Sequence, residues 1–146
     1  MKKIERFEDL VAWQKARILA QTIYKLTRER TFAKDIGLSG QVQRAAVSVM
    51  ANIAEGFERN RSAEFHQFLS VAKGSCAEVR SHLYVAHDAG HLDKDCITEV
   101  LAQGEEVGRI IGGLRASVAA QKRQTRDNNG SPLSTSTRHS AHNAQH

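Results

Sequence analysis

Proline and aromatic residues are scarce in this chain of 146 residues. It contains one proline, one tryptophan, two tyrosines and five phenylalanines. Sandwiches and barrels built from many short strands need frequent turns, whereas proline is poorly tolerated inside a helix. The low content of both therefore favours long helices and argues against a turn-rich all-β fold.

Cysteine and long apolar runs are also scarce. The only cysteines are Cys76 and Cys96, too few for a secreted disulfide scaffold. The basic start MKKIERFEDL has no apolar run behind it, unlike a signal peptide. No stretch approaches the roughly 18 apolar residues that a membrane span needs. We therefore expect free thiols in a soluble, cytoplasmic protein with no membrane partner.

The charge balance is basic but mixed. Lys and Arg number 21 and Asp and Glu number 16, which gives a formal net charge of +5. Such a balance permits binding to nucleic acid, to an acidic protein or to an anionic membrane surface. It is equally typical of helices whose mixed charges simply face water, so charge alone selects no partner.

Apolar residues recur at helical spacing over most of the chain. This period predicts an all-α fold, an antiparallel up-down-up-down four-helix bundle that occupies residues 1–123. Residues 124–146 are polar with almost no apolar content, which indicates a flexible tail. The predicted helices are 8–28, 41–57, 62–88 and 93–122.

Small and capping residues mark the predicted helix ends. Residues 31–40 contain two glycines, which predicts a connection with a possible helix cap at Ser39. Ser62 and Asp93 are expected to cap the third and fourth helices, and Gly90 is expected to end the third.

Two helices carry distinctive stripes. The third has a 4-3 apolar seam typical of left-handed bundles. The fourth has Gly104, Gly108 and Gly112 on one line, and each mid-helix glycine costs about 1 kcal/mol relative to alanine. We therefore expect a close helix approach along the glycines. The seam consists of Phe65, Leu69, Ala72, Cys76, Val79, Leu83 and Ala86.

Some helices carry more apolar residues than the core of a single bundle would bury. Val11 and Ile18 lie seven residues apart on the otherwise basic face of the first helix. The second helix is apolar around most of its circumference, which indicates burial on more than one side. Both features predict a contact with another subunit.

A polar ladder occupies the remaining strip of the second helix. Its members, spaced by three or four residues, are Gln41, Arg44, Ser48, Asn52 and Glu55. We interpret the ladder mainly as mutual hydrogen bonding at a subunit interface or capping of the turn near Gly56, because buried polar groups usually satisfy one another. A pore or a ligand groove is the alternative.

Four sequence motifs occur in the order FEDLVAWQKA, IYKLT, GLSGQVQRAAVSVMANIAEGFER and EFHQFLSVAKGSCAEVRSHL. Together they resemble the four-helix bundle family first described as proteins encoded in intervening sequences of bacterial 23S ribosomal RNA. The resemblance covers about residues 6–118, and the NIAEGFER and AKGS segments are its most specific parts.

The resemblance implies an up-down bundle that assembles into a ring, a homopentamer. Similar proteins include accessory proteins of diversity-generating retroelements, which bind a reverse transcriptase and RNA through a basic ring surface. Most of the family has no assigned activity, and it offers no catalytic residues to transfer. We therefore expect no cofactor and no enzymatic activity.

Two other site chemistries are weaker alternatives. His87, Asp88 and His91 are possible metal ligands, but a helix end at Gly90 would separate them, so we predict no metal site. Two Arg and His pairs match the loose pattern of HEPN ribonucleases, in which Arg could hold a phosphate and His could transfer a proton. The pairs are Arg61 with His66 and Arg80 with His87.

The sequence thus predicts a non-enzymatic, ring-forming binding protein whose partners are its own copies and RNA or a reverse transcriptase. It would contact phosphates by charge without reading bases. A HEPN-type ribonuclease and a purely structural oligomer are the alternatives. The candidate phosphate contacts are Lys15, Arg17, Lys25, Arg28, Arg59 and Arg61.

Overall fold

The computed structural model describes residues 3–130, and their regular secondary structure is entirely helical. The all-α prediction is therefore confirmed for this part of the chain. The predicted tail, 124–146, is described only as far as Gly130, and residues 124–130 continue the last helix. After a 3-10 turn, Phe7–Asp9, the helices are α1 Val11–Thr27, α2 Arg30–Lys34, α3 Ile36–Glu58, α4 Ser62–Asp88 and α5 Lys94–Gly130.

The predicted connection at 31–40 is wrong, because nearly all of it is helical. Asp35 caps α3 by accepting a hydrogen bond from the backbone N–H of Leu38 at 3.3 Å. Ser39, the expected cap, is buried inside α3 and donates to the carbonyl of Phe32 at 2.6 Å. Phe32 on α2 is itself fully buried. The packing of α2 against the start of α3 outweighs the low helix propensity of the two glycines, which both lie in α3.

Of the other predicted helix ends, two are confirmed and two differ. Asp93 accepts from the backbone N–H of Cys96 at 2.8 Å and so caps α5 as predicted. Gly90 follows the end of α4 with a φ of +83°, a left-handed conformation that favours glycine. The expected cap at Ser62 is wrong, since Arg61 precedes α4 without a side-chain cap. The first helix starts at Val11, three residues later than predicted.

The four long helices share one core. α1 packs against α3 and α5, α3 against α4, and α4 against α5. The predicted seam of α4 is confirmed: from Leu69 to Ala86 its members are at most 1% exposed, and Phe65 packs against the same core. Each fully buried aliphatic side chain contributes about 1.5–3 kcal/mol, so this seam is a main source of stability.

Helices α3 and α4 are in tight contact at Gly56. A Cβ atom placed on Gly56 would lie 2.5 Å from the Cβ of Phe68 and 3.1 Å from a ring carbon of Phe65. Along the glycines of α5, where a close approach was predicted, two of the three positions are tight. A Cβ on Gly104 would lie 3.1 Å from Cγ of Arg80, and one on Gly112 would lie 3.1 Å from Nζ of Lys73, whereas one on Gly108 would meet only the sulfur of Cys76 at an ordinary 3.8 Å.

Within residues 3–130, no helix combines the length and apolarity needed to cross a bilayer.

Candidate nucleic-acid interface

Three of the six predicted phosphate contacts line one open groove of about 590 Å³. Arg17 and Lys25 lie on α1 and Arg28 directly follows its last residue, while Met50 of α3 forms part of the opposite side. Glu29 is the only acid among the lining residues. We call this surface the α1 groove. Its excess of positive charge makes it attractive to an anionic ligand.

Aromatic rings position two of these arginines. The guanidinium carbon of Arg17 lies 5.7 Å from the ring centre of Trp13, and that of Arg28 lies 5.8 Å from the ring centre of Tyr24. Both rings are half-buried. Cation–π attraction of this kind holds the guanidinium groups on the surface while leaving their N–H donors available. This role of the rings was not predicted, although the i, i+4 spacing of each pair is visible in the sequence.

Lys15 does not line the α1 groove. It is exposed and lies four residues after Val11 and three before Ile18, which places it beside both on the surface of α1. Val11 and Ile18 are 56% and 49% exposed, and Val47 of α3 is 42% exposed. Lys15 therefore belongs with an apolar surface rather than with the cationic groove.

Arg59 and Arg61 also lie outside the α1 groove and face acidic neighbours. A terminal nitrogen of Arg59 is 3.1 Å from a carboxylate oxygen of Glu55, and Nε of Arg61 is 4.0 Å from one of Glu64. Exposed pairs of this kind contribute little energy, but they reduce the local positive charge. The structure thus brings together three of the six predicted contacts and separates the others.

The polar ladder is divided rather than continuous. Asn52 donates to the carbonyl and hydroxyl oxygens of Ser48 at 2.8 and 2.9 Å, and the Ser48 hydroxyl lies 2.9 Å from that of Ser75 on α4. These groups satisfy one another's hydrogen-bonding capacity inside one chain, which leaves the predicted role at a subunit interface untested. Asn52 bonds within the chain at the α3–α4 boundary and does not cap the turn near Gly56.

The remaining ladder residues are exposed. Gln41 faces solvent, and the guanidinium of Arg44 lies against Gly40, where an added Cβ would be 3.0 Å away. Glu55 pairs with Arg59 instead of capping the turn. These three residues lie on the exposed surface of α3, so a role for the ladder between subunits stays a prediction.

A second cationic groove, which was not predicted from the sequence, lies between α4 and α5. Lys73 and Arg80 of α4 and Arg109 and Arg115 of α5 line this opening of about 500 Å³, which we call the α4–α5 groove. Small residues form much of its floor. The sequence contains a signal for it, because small-residue lines on both helices run beside these cations at helical spacing.

The histidines considered as metal ligands point to different partners. Nδ1 of His87 is 2.9 Å from the carbonyl oxygen of Leu92. Nε2 of His91 is 3.0 Å from a carboxylate oxygen of Asp35, and its Nδ1 is 2.8 Å from the hydroxyl of Thr31. Among residues 3–130, no group of three or more His, Cys, Asp or Glu side chains is placed to hold a metal ion.

The contact with His91 also sets the charge of Asp35. Its hydrogen bond lowers the pKa of the Asp35 carboxyl, and the backbone N–H of Leu38 lowers the pKa further. The His91 ring stacks on Phe32 with ring centres 5.2 Å apart. This cluster ties the start of α3 to the turn after α4.

Comparison with known proteins agrees with this fold. A sequence profile described as 23S rRNA-intervening sequence protein matches residues 8–113. No curated protein matches the sequence significantly.

The chain is also similar to the crystal structure of a protein of unknown function from the S23 ribosomal protein family of Bacteroides thetaiotaomicron. The TM-score is 0.66, with 20% sequence identity over 72% of this chain and 98% of that chain. At this identity the likeness shows the fold alone. Because the family profile spans most of its sequence, this chain belongs to the family of 23S rRNA-intervening sequence proteins.

Proposed function

We propose that this protein is a non-catalytic nucleic-acid-binding protein that acts as a ring-shaped oligomer. The observation that carries the proposal is the convergence of Arg17, Lys25 and Arg28 in the α1 groove. Among the described residues none of the three forms an ion pair, so their charge is available to phosphates. RNA is the proposed ligand, and the family resemblance suggests a reverse transcriptase as a protein partner.

The proposed assembly is a ring of up-down-up-down bundles, with five subunits as the resemblance implies. The exposed apolar side chains of Val11, Ile18 and Val47 support self-association, because burying apolar surface contributes about 25 cal/mol per Å². Lys15 would then lie at the edge of the subunit contact. A ring presents each α1 groove several times, so weak individual contacts add up through avidity.

The test is binding of a fluorescein-labelled single-stranded RNA, measured by anisotropy from 50 to 200 mM salt. Three neutralised phosphates per engaged subunit predict a weakening of roughly twenty-fold over this range. Replacing Arg17, Lys25 and Arg28 by Gln should abolish binding. The matched control replaces three exposed cations outside both grooves by Gln: Lys34, Lys94 and Arg126.

The control should bind like the parent and have the same oligomer size. Equal binding by the α1-groove variant would place the contact elsewhere, and no binding by the parent at 50 mM salt would refute the proposal. The non-catalytic part is tested by incubating the RNA without metal. Cleavage that disappears in His66→Ala or His87→Ala would establish the ribonuclease alternative.

A further inference from the structure

The α4–α5 groove concentrates positive charge from two helices. Lys73 and Arg80 line it from α4, and Arg109 and Arg115 line it from α5. Glu105 is the only acid among the lining residues. Four cations against one acid give this groove a larger positive excess than the α1 groove has.

The glycines of α5 make room for the cationic side chains of α4. A Cβ on Gly104 would lie 3.1 Å from Cγ of Arg80, and one on Gly112 would lie 3.1 Å from Nζ of Lys73. Larger residues at these positions would push both side chains away from the surface of α5. The glycine stripe therefore seats two cations along the groove, which explains its cost in helix propensity.

The donors of this groove have few acceptors among the described residues. Nε of Arg80 is buried without a hydrogen-bond partner among the described residues. Arg115 reaches only the hydroxyl of Ser70, at a long 3.4 Å. None of the four cations forms an ion pair within the part of the chain described. An unsatisfied buried donor is destabilising, so an anionic oxygen that reached it would relieve this cost.

We propose that the α4–α5 groove binds consecutive phosphates of a nucleic-acid backbone. The proposal rests on the proposed function and adds a second contact surface to it. From Ser70 to Arg80 the groove follows α4 for about 15 Å, a length that suits several phosphates of one strand. Guanidinium groups match phosphate oxygens in geometry as well as in charge.

The lining favours a phosphate backbone over a peptide helix or a stacked base. Apart from its glycines, Cys76 and Ala77 are the only apolar residues that line it. It therefore has no pocket for the large apolar side chains with which an amphipathic helix binds. It also contains no aromatic ring on which a base could stack. Binding should therefore be insensitive to base sequence.

The experiment compares two variants that lose the same number of charges. The groove variant replaces Lys73, Arg80, Arg109 and Arg115 by Gln. The matched control replaces four exposed cations outside both grooves by Gln, namely Lys34, Lys94, Arg123 and Arg126. Labelled RNA is measured by anisotropy and tripolyphosphate by calorimetry, with polyglutamate as an anionic competitor without phosphate.

The groove variant should bind RNA at least tenfold more weakly than the control at 50 mM salt. Its salt slope should also be smaller by up to about 2.8, because four phosphate contacts are lost. Tripolyphosphate should bind the parent and the control but not the groove variant. Arg109→Glu, at an exposed position, gives the same test if the fourfold variant does not fold.

Each opposing result has a distinct meaning. RNA binding that is lost in the α1-groove variant but unchanged in the groove variant would refute this inference and leave the proposed function standing. Tripolyphosphate binding without RNA binding would identify a site for free oligophosphate, and would overturn both the backbone proposal and the proposed function. Competition by polyglutamate as strong as that by RNA would show that charge alone is recognised and would overturn the phosphate assignment.

Discussion

Replacing Gly56 by Ala tests the closest contact in the core. The added Cβ would lie 2.5 Å from the Cβ of Phe68, whereas carbon atoms pack best at about 3.5–4.0 Å. The Cβ of Phe68 is fixed to the backbone of α4 and cannot rotate away. The two helices must therefore separate to accommodate a single methyl group.

The expected magnitude combines two opposing effects. Overpacking commonly costs about 1–3 kcal/mol, while Ala gains about 1 kcal/mol over Gly in helix propensity. Gly113 of α5 is the matched control, because a Cβ there would meet no atom within 4 Å. Gly113→Ala should thus stabilise the protein by about 1 kcal/mol. The two variants should differ in unfolding free energy by about 1–3 kcal/mol.

Urea unfolding followed by circular dichroism measures this difference. With a slope of about 1–3 kcal/mol per M, the midpoint of Gly56→Ala should lie on the order of 1 M below that of Gly113→Ala. Protein concentration must be equal throughout, because association shifts apparent stability. Adding Phe68→Ala should not rescue Gly56→Ala, since alanine keeps the Cβ. Equal midpoints for the two glycine variants would show that α3 and α4 are not in tight contact at Gly56.

Three further predictions concern assembly, pH and thiol reactivity. Light scattering of the parent should report a closed oligomer, and Ile18→Glu should give smaller species because it charges an apolar contact; a parent monomer at micromolar concentration would refute this. Because His91 lowers the pKa of Asp35 in the folded state, its carboxylate stabilises the protein fully above the ordinary value of 3.8, and the stabilisation is lost as pH falls through the lowered pKa. Asp35→Asn should therefore reduce the fall in urea midpoint on acidification, and an unchanged pH profile would contradict the argument. Burial raises the pKa of both thiols, and Cys76 is also fully buried. Ellman's reagent should therefore modify half-exposed Cys96 first and Cys76 only after unfolding. Simultaneous reaction in the native protein would show that Cys76 is accessible.

Local pattern was sufficient for most of the helical framework. The seam of α4 could be predicted because residues three and four apart face the same side of a helix wherever that helix packs. Asp93 and Gly90 could be predicted because capping and left-handed glycine depend on adjacent backbone groups. The segment at 31–40 could not, since its helicity depends on burying Phe32 and on the bond between Ser39 and the Phe32 carbonyl.

One of the two cationic surfaces could also be predicted from local spacing. Arg17, Lys25 and Arg28 are separated by eight and three residues, and this helical spacing was enough to place them on one side of α1 and its C-terminal end.

By itself, therefore, the sequence determined the fold class, the four long amphipathic segments and the cationic face of α1, because each depends on residues within a few helical turns. Only the tertiary structure decided that α3 and α4 meet at Gly56, that Arg80 lies over Gly104, and that Arg115 lies beside Ser70 in the same groove. These positions are far apart in the chain, and their contacts depend on how the helices are rotated against each other. That rotation is set by the packing of the whole core.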